Sequence, residues 1–211
     1  MVFMQKTYQQ IIPTHEEYLI AQKRWASNES ATPKFAAGQL RYLHFMLRDF
    51  PCNLKVLDLG CGDGTGLKVL KNMAFKEVVG VDLCETKLAL AKEVGFPVVT
   101  CDFHALPFPD RSFDVVYSSH SLEHAYRPAQ VVSEIVRVLR SPGIMLCVLP
   151  YPDTGDWNDE AHGAKYELGT NVIDEGQSVV QFFKNCGFGT VETSFDNFRE
   201  PEVWVTAYLS G

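Results

Sequence analysis

A three-layer α/β fold, with a largely parallel sheet between two layers of helix, is predicted by three observations. Five short, almost continuously apolar runs alternate with helix-like segments between residues 54 and 150, and strands buried on both faces read this way. The first run passes directly into a glycine-rich turn and then a helix, which brings backbone N–H groups close to a ligand. The chain ends in two strand-like runs with only a short link between them. Such neighbours pair antiparallel, because a parallel pair needs a crossover of about a dozen residues.

Two helices are expected ahead of the sheet. Thr14 and Glu17 form a capping box for a helix reaching about Trp25. Thr32-Pro33 sets an N-cap before a proline at the first helical position. Ala36, Leu40, Leu43 and Leu47 then recur at helical spacing, and Pro51 closes the segment. The first strand is LKVLDLG (54–60), and the helix after its turn carries Leu67, Leu70 and Ala74. EVVGVDL (77–83) is the second strand, followed by a helix that ends at Gly95, and FPVVTCD (96–102) is the third. SFDVVYSS (112–119) is the fourth, and Pro128 opens a helix with Val131, Val132, Ile135, Val138 and Leu139 on one face. GIMLCVLP (143–150) is the fifth. A last helix, SVVQFFKNCGF, stops at Gly187, and TVETSFDNF and EVWVTAYL form the terminal hairpin.

Composition narrows the function. The 211 residues, 46% apolar and 21% charged, suit one ordinary globular domain. The formal charge of −7, without a basic run, disfavours nucleic acid as a partner. No apolar run approaches the ~20 residues of a membrane span. The opening MVFMQKTYQQIIPTHEE lacks a basic flank before an apolar stretch, so a cytoplasmic protein without a secretory leader is expected. Cys52, Cys61, Cys84, Cys101, Cys147 and Cys186 are scattered without a C-x-x-C pair, and reduced thiols are expected. The Asn28-Glu29-Ser30 sequon carries no weight without a secretory route.

The chemistry starts at VLDLGCGDGTG (56–66), where a strand runs into Gly60-x-Gly62-x-Gly64. A dinucleotide fingerprint would put its third glycine at 65, which is Thr65, and a Gly-Lys-Ser/Thr phosphate loop is absent. Asp82 and Asp102 end the next two strands, so with Asp58 three carboxylates lie along the carboxyl edge of the sheet. Asp82 can accept bonds from both hydroxyls of a ribose; with Glu85 three residues on, it also reads as a helix N-cap. Leu83 offers an apolar surface to a ring.

Asp58-Leu59-Gly60-Cys61-Gly62-Asp63-Gly64 resembles the E/DxGxGxG motif of class I S-adenosylmethionine-dependent methyltransferases, and further motifs follow in order over 54–150. The segment LPFPDRSFDVV is similar to the methyltransferase-11-like and ubiquinone-biosynthesis-like branch. The resemblance implies a Rossmann-like seven-stranded mixed sheet of order 3-2-1-4-5-7-6 with strand 7 antiparallel. It implies S-adenosylmethionine as cofactor and S-adenosylhomocysteine as product. Asp58, Gly60, Cys61, Gly62 and Gly64 would then hold the methionine end, Asp82 the ribose, and Leu83 the adenine face. Asp102 would receive the adenine amino group and the Phe103 amide a ring nitrogen. Ser118 and Ser119, at the end of the fourth strand, are assigned to the cofactor site. His120 falls near the transferable methyl group, where a neutral imidazole could take an acceptor's proton. His124 reads equally as a capping or packing residue.

Negative signals restrict the acceptor. The Asp/Asn-Pro-Pro-aromatic turn of amino-methylating DNA enzymes is replaced by Ser-Ser-His-Ser, and a Pro-Cys nucleophile is missing. The long connection 151–175 is functional or disordered by its length. Its Tyr151, Trp157 and His162 are the candidate acceptor contacts. Its Asp153, Asp156, Asp159, Glu160 and His162 could suggest a hard-metal site but match no metal-ligand spacing, so a solvated acidic loop and no metal are expected. Tyr18 and Trp25 place the N-terminal helices as a lid or as ordinary packing.

These readings describe one domain, 1–211. It comprises a helical cap (1–50), a cofactor-binding half (54–150), an acceptor-side loop (151–175) and a C-terminal helix and hairpin (176–211). The expected reaction is methyl transfer to a small molecule, oxygen favoured over carbon or nitrogen. A catalytically silent cofactor-binding module acting through a partner protein is the alternative. The acceptor and the oligomeric state are left open by the sequence.

Overall fold

The structure is a computed structural model that describes residues 8–12, 14–28 and 32–210. The opening residues 1–7 and Glu29 and Ser30 of the sequon lie outside the described residues.

Helix α1 (His15–Asn28) begins at the expected capping box: Glu17 N–H donates to Thr14 Oγ1 at 3.2 Å and Thr14 N–H to Glu17 Oε2 at 3.1 Å. Helix α2 (Pro33–Leu47) is capped by Thr32, whose side chain accepts from Phe35 N–H. Then come β1 (Lys55–Leu59), α3 (Thr65–Asn72), β2 (Glu77–Asp82), α4 (Glu85–Ala91), β3 (Val98–Thr100) and β4 (Phe113–Ser119). They are followed by α5 (Pro128–Val138), β5 (Leu139–Pro150), α6 (Lys165–Leu168), α7 (Gln177–Asn185), β6 (Thr190–Asp196) and β7 (Glu202–Leu209).

The seven strands form one sheet of order β3-β2-β1-β4-β5-β7-β6, in which β7 runs antiparallel to both its neighbours. The register sets Asp58 beside Gly80 of β2 and Tyr117 of β4. Apolar cores lie on both faces. Val56 and Val115 pack with Tyr42, Leu43, Leu67 and Leu88 from α2, α3 and α4. Leu57, Leu59 and Val116 pack with Val131, Ile135, Leu168 and Phe183 from α5, α6 and α7. A smaller cluster of Tyr8, Ile12, Tyr18 and Tyr126 fastens the N-terminal cap to the turn before α5.

Four local expectations are corrected. Leu40 is exposed, because α2 turns Gln39, Tyr42, Leu43 and Leu47 to the sheet. Ala74 lies past the end of α3 at φ +67°. Cys84, not Asp82, is the N-cap of α4. Strand β5 starts at Leu139, which pairs with Phe113 ahead of a register shift.

The connection 151–175 is ordered by a buried cation rather than solvated. Lys165 Nζ donates to the Gly155 carbonyl, to Asn158 Oδ1 at 2.7 Å and to Asp159 Oδ1 at 2.9 Å. Asp153 and Asp159 are buried with it.

Candidate active site

A first cleft opens over the carboxyl ends of β1, β2 and β3, where strand order leaves a crevice between crossovers. Gly60, Asp82, Leu83, Asp102 and Phe103 line it, and Tyr18, Gln22 and Trp25 of α1 form the opposite wall. Gly60 has φ +84°, and a Cβ there would collide with the Ser121 side chain, so the turn requires glycine. At Gly64 a Cβ would meet the Ala91 backbone at 3.0 Å, so this glycine serves the approach of α4 rather than a ligand.

Asp82 holds the glycine turn as well as lining the cleft: Gly62 N–H donates to its Oδ2 at 2.9 Å and Cys84 N–H to its Oδ1 at 2.8 Å. Asp58 is buried beneath the turn, and its Oδ2 has no hydrogen-bond partner. Burial, with the nearby Asp82 charge, pushes its carboxyl up to about 8. Asp58 lines neither cleft; a buried carboxylate with an unpartnered oxygen beneath a glycine turn has the charge to hold an ammonium that reached it. Asp102 is more occupied than expected. His104 N–H and Nδ1 contact its Oδ1 at 3.1 and 2.6 Å, and His15 Nε2 contacts its Oδ2 at 2.7 Å. Burial opposes ionisation, yet these bonds win and hold its carboxyl down to about 2.

Several assigned side chains lie elsewhere. Ser118 is fully buried with its hydroxyl inside the sheet, and Ser119 lines a small hollow behind His120 instead of the first cleft. Cys61 and Gly62 face the neighbouring cleft. Tyr151 is buried, and its hydroxyl accepts from the Asp174 and Gly176 amides at 3.0 and 2.9 Å. It anchors the end of the loop and contacts neither cleft.

The neighbouring cleft, about 710 Å³, is lined by His120, Glu123, His124, Asp153, Trp157, His162 and Arg199. His120, His124 and Lys87 line both clefts. His120 takes φ +50°, uncommon for a residue with a Cβ. Its Nε2 lies 3.2 Å from Glu202 Oε1, its Nδ1 3.5 Å from Glu123 Oε1, and Arg199 reaches the same ring. Burial lowers its basicity, but the two carboxylates prevail and raise it. Trp157, 87% exposed, stands on the rim.

Sequence reasoning missed Glu123, Glu202 and Arg199. Glu123 sits within Leu122-Glu123-His124, where an acidic residue beside histidines is a usable signal. Glu202 and Arg199 reach His120 from the terminal hairpin, with nothing local to mark them.

The fold and cleft define a Rossmann-like domain with an S-adenosylmethionine-type site. The methyltransferase domain family matches residues 57–147. Cycloartenol-C-24-methyltransferase 1 of Oryza sativa subsp. japonica is 30% identical over 168 residues, covering 72% of this chain and 48% of that protein. The 2-methyl-6-phytyl-1,4-hydroquinone methyltransferase of Synechocystis is 31% identical over 134 residues, covering 59% of this chain and 40% of its own. The chain therefore spans less than half the length of these relatives. Among solved structures, the (4+2)-cyclase SpnF superposes with a TM-score of 0.69 at 15% identity, covering 97% of each chain. A Haemonchus contortus phosphoethanolamine N-methyltransferase bound to S-adenosylhomocysteine gives 0.67 at 17%, covering all of this chain and 61% of its own. Both share the fold. The chain belongs to the class I S-adenosylmethionine-dependent methyltransferases.

Proposed function

We propose that this chain transfers the methyl group of S-adenosylmethionine to a small polar acceptor bound in the cleft of His120, Glu123 and His162, with oxygen as the favoured nucleophile. The observation that carries the reading is the meeting of two clefts at His120 and His124. The cofactor supplies a sulfonium-activated methyl group. The residues' task is alignment: Gly60, Asp82 and Asp58 hold the cofactor side, and the second cleft orients the acceptor. The ionisable lining of that cleft favours a hydroxyl-bearing acceptor over an apolar one, since hydroxyls satisfy buried polar groups. His120 would orient the acceptor or take its proton.

The test is turnover of methyl-labelled cofactor against a fractionated metabolite extract. Label in a hydroxylated small molecule supports the reading. Cofactor binding with label transferred to no fraction would replace it with a binding module acting through a partner.

A further inference from the structure

Among the described residues, two groups of histidine and carboxylate side chains stand close enough to hold an ion: His15, Asp102 and His104, and Glu123, His124 and His162. The first is internally satisfied. Asp102 accepts bonds at both oxygens. His104 directs Nδ1 at Asp102, and its Nε2 accepts the Arg127 amide at 3.0 Å, so both ring nitrogens are engaged.

The second group differs. The Glu123 side chain is 1% exposed, yet neither of its oxygens has a hydrogen-bond partner; His120 Nδ1 stands at 3.5 Å. Buried carboxylates are paired, protonated or bound to metals. His162 Nδ1 lies 2.8 Å from Asp153 Oδ2, and His124 Nδ1 2.8 Å from the Ala161 carbonyl. A carbonyl or carboxylate oxygen can only accept, so these contacts are made by an N–H on Nδ1, with Asn158 Nδ2 also 3.0 Å from His162 Nδ1, and Nε2 is the ring atom that would serve a metal. An acceptor behind the ring is the arrangement that orients metal-bound imidazole. Asp153 is itself fixed by Asn158 Nδ2 at 3.0 Å.

We propose that Glu123, His124 and His162 form a binding site for a divalent first-row transition metal ion in the wall of the acceptor cleft. Two imidazoles and one carboxylate suit zinc, cobalt, manganese or ferrous iron, whereas calcium and magnesium take all-oxygen sets. The ligand atoms lie within 4.8 Å of one another. Around an ion with bonds of about 2.1 Å, neighbouring ligands sit roughly 3.0–3.4 Å apart. Binding therefore draws the 122–124 turn and the 151–175 segment together by an ångström or two. Three protein ligands leave coordination positions open, and all three residues line the cleft. Those positions take oxygen donors, from water or from an acceptor hydroxyl. Only this last use rests on the methyl-transfer reading; the binding of the ion does not.

The test is titration of the full chain, without cofactor, by Zn²⁺ and Co²⁺ in a calorimeter, with electronic spectra of the cobalt form. One equivalent should bind, with cobalt d–d bands and no thiolate charge-transfer band, since no cysteine belongs to the site. Glu123→Gln and His162→Ala should each weaken binding at least a hundredfold, and Asp153→Asn tenfold or more. S-adenosylhomocysteine affinity checks that each variant is folded. Should Glu123→Gln lose the fold, His162→Ala decides. Absence of stoichiometric binding, unchanged affinity in folded His162→Ala, or a thiolate band would overturn the proposal. Metal binding without transfer to any acceptor would sink the methyl-transfer reading alone.

Discussion

His15, in the first turn of α1, places Nε2 2.7 Å from Oδ2 of Asp102, so the N-terminal helix is bonded to the carboxylate just beyond β3. That carboxylate is the group assigned to the adenine amino group, which must therefore displace His15 or share the oxygen with it. With the pair partly exposed, the contact is worth about 1 kcal/mol. His15→Ala is expected to tighten S-adenosylhomocysteine binding several-fold by calorimetry. Weaker binding would show instead that His15 closes over the bound nucleoside.

Asp102 also predicts acid behaviour. Its folded carboxyl is held at about 2, below its ordinary 3.8. The stabilisation is thus fully present above about pH 4 and lost as pH falls toward 2. Allowing for partial exposure, it is worth about 1 kcal/mol. The gap in Tm between the parent and Asp102→Asn should be constant from pH 5 to 7 and close below pH 4. A gap independent of pH would assign it to packing.

Asp58 titrates in the opposite sense. Its folded carboxyl is raised from 3.8 to about 8. The neutral form is stable below about pH 4, and the cost of burial accumulates as pH rises toward 8. Asp58→Asn should therefore raise the ligand-free Tm by a few degrees at pH 8 and hardly at all at pH 4. An ammonium arriving beside Asp58 favours the carboxylate. Binding of S-adenosylhomocysteine near pH 7 should then release up to about one proton. Calorimetry in buffers of different ionisation enthalpy measures this, and identical heats would remove Asp58 from the methionine site.

Trp157 stands exposed on the rim of the cleft proposed to take the acceptor. Trp157→Ala should leave Tm and S-adenosylhomocysteine affinity unchanged, a surface substitution costing within about 0.5 kcal/mol. It should lower kcat/KM for the acceptor about tenfold, because a misplaced acceptor loses alignment. Unaltered kinetics would move acceptor recognition to the α1 wall.

Lys165 is the cation that organises the 151–175 segment, with Asp159 at 2.9 Å and Asn158 at 2.7 Å. Removing one member of a buried pair costs about 3–5 kcal/mol. Lys165→Ala should lower urea stability by that order and expose the segment to proteolysis. A loss below about 1 kcal/mol would mean that the segment is held by its apolar contacts.

What the sequence determined by itself was set by near neighbours. The turn at Gly60, the capping pair Thr14 and Glu17, and the N-cap at Thr32 depend on atoms a few residues away. So does the placing of Asp58 and Asp82 at strand ends, and of Asp102 just beyond one, because strand periodicity and the glycine turn are local properties. The antiparallel hairpin at the end of the chain follows from the shortness of its link; the full strand order was legible only through resemblance.

The tertiary structure decided which polar groups are buried, and against what. His15 meets Asp102 across 87 residues and His120 meets Glu202 across 82. Tyr151 turned from a candidate contact into an anchor, and the acidic loop from a solvated segment into one closed on Lys165. Glu123 became the most confined carboxylate of the second cleft. A charged side chain takes its role from the dielectric around it and from the charges that distant segments bring within a few ångströms. Neither is a property of its neighbours in sequence, so these roles emerge only once the chain has folded.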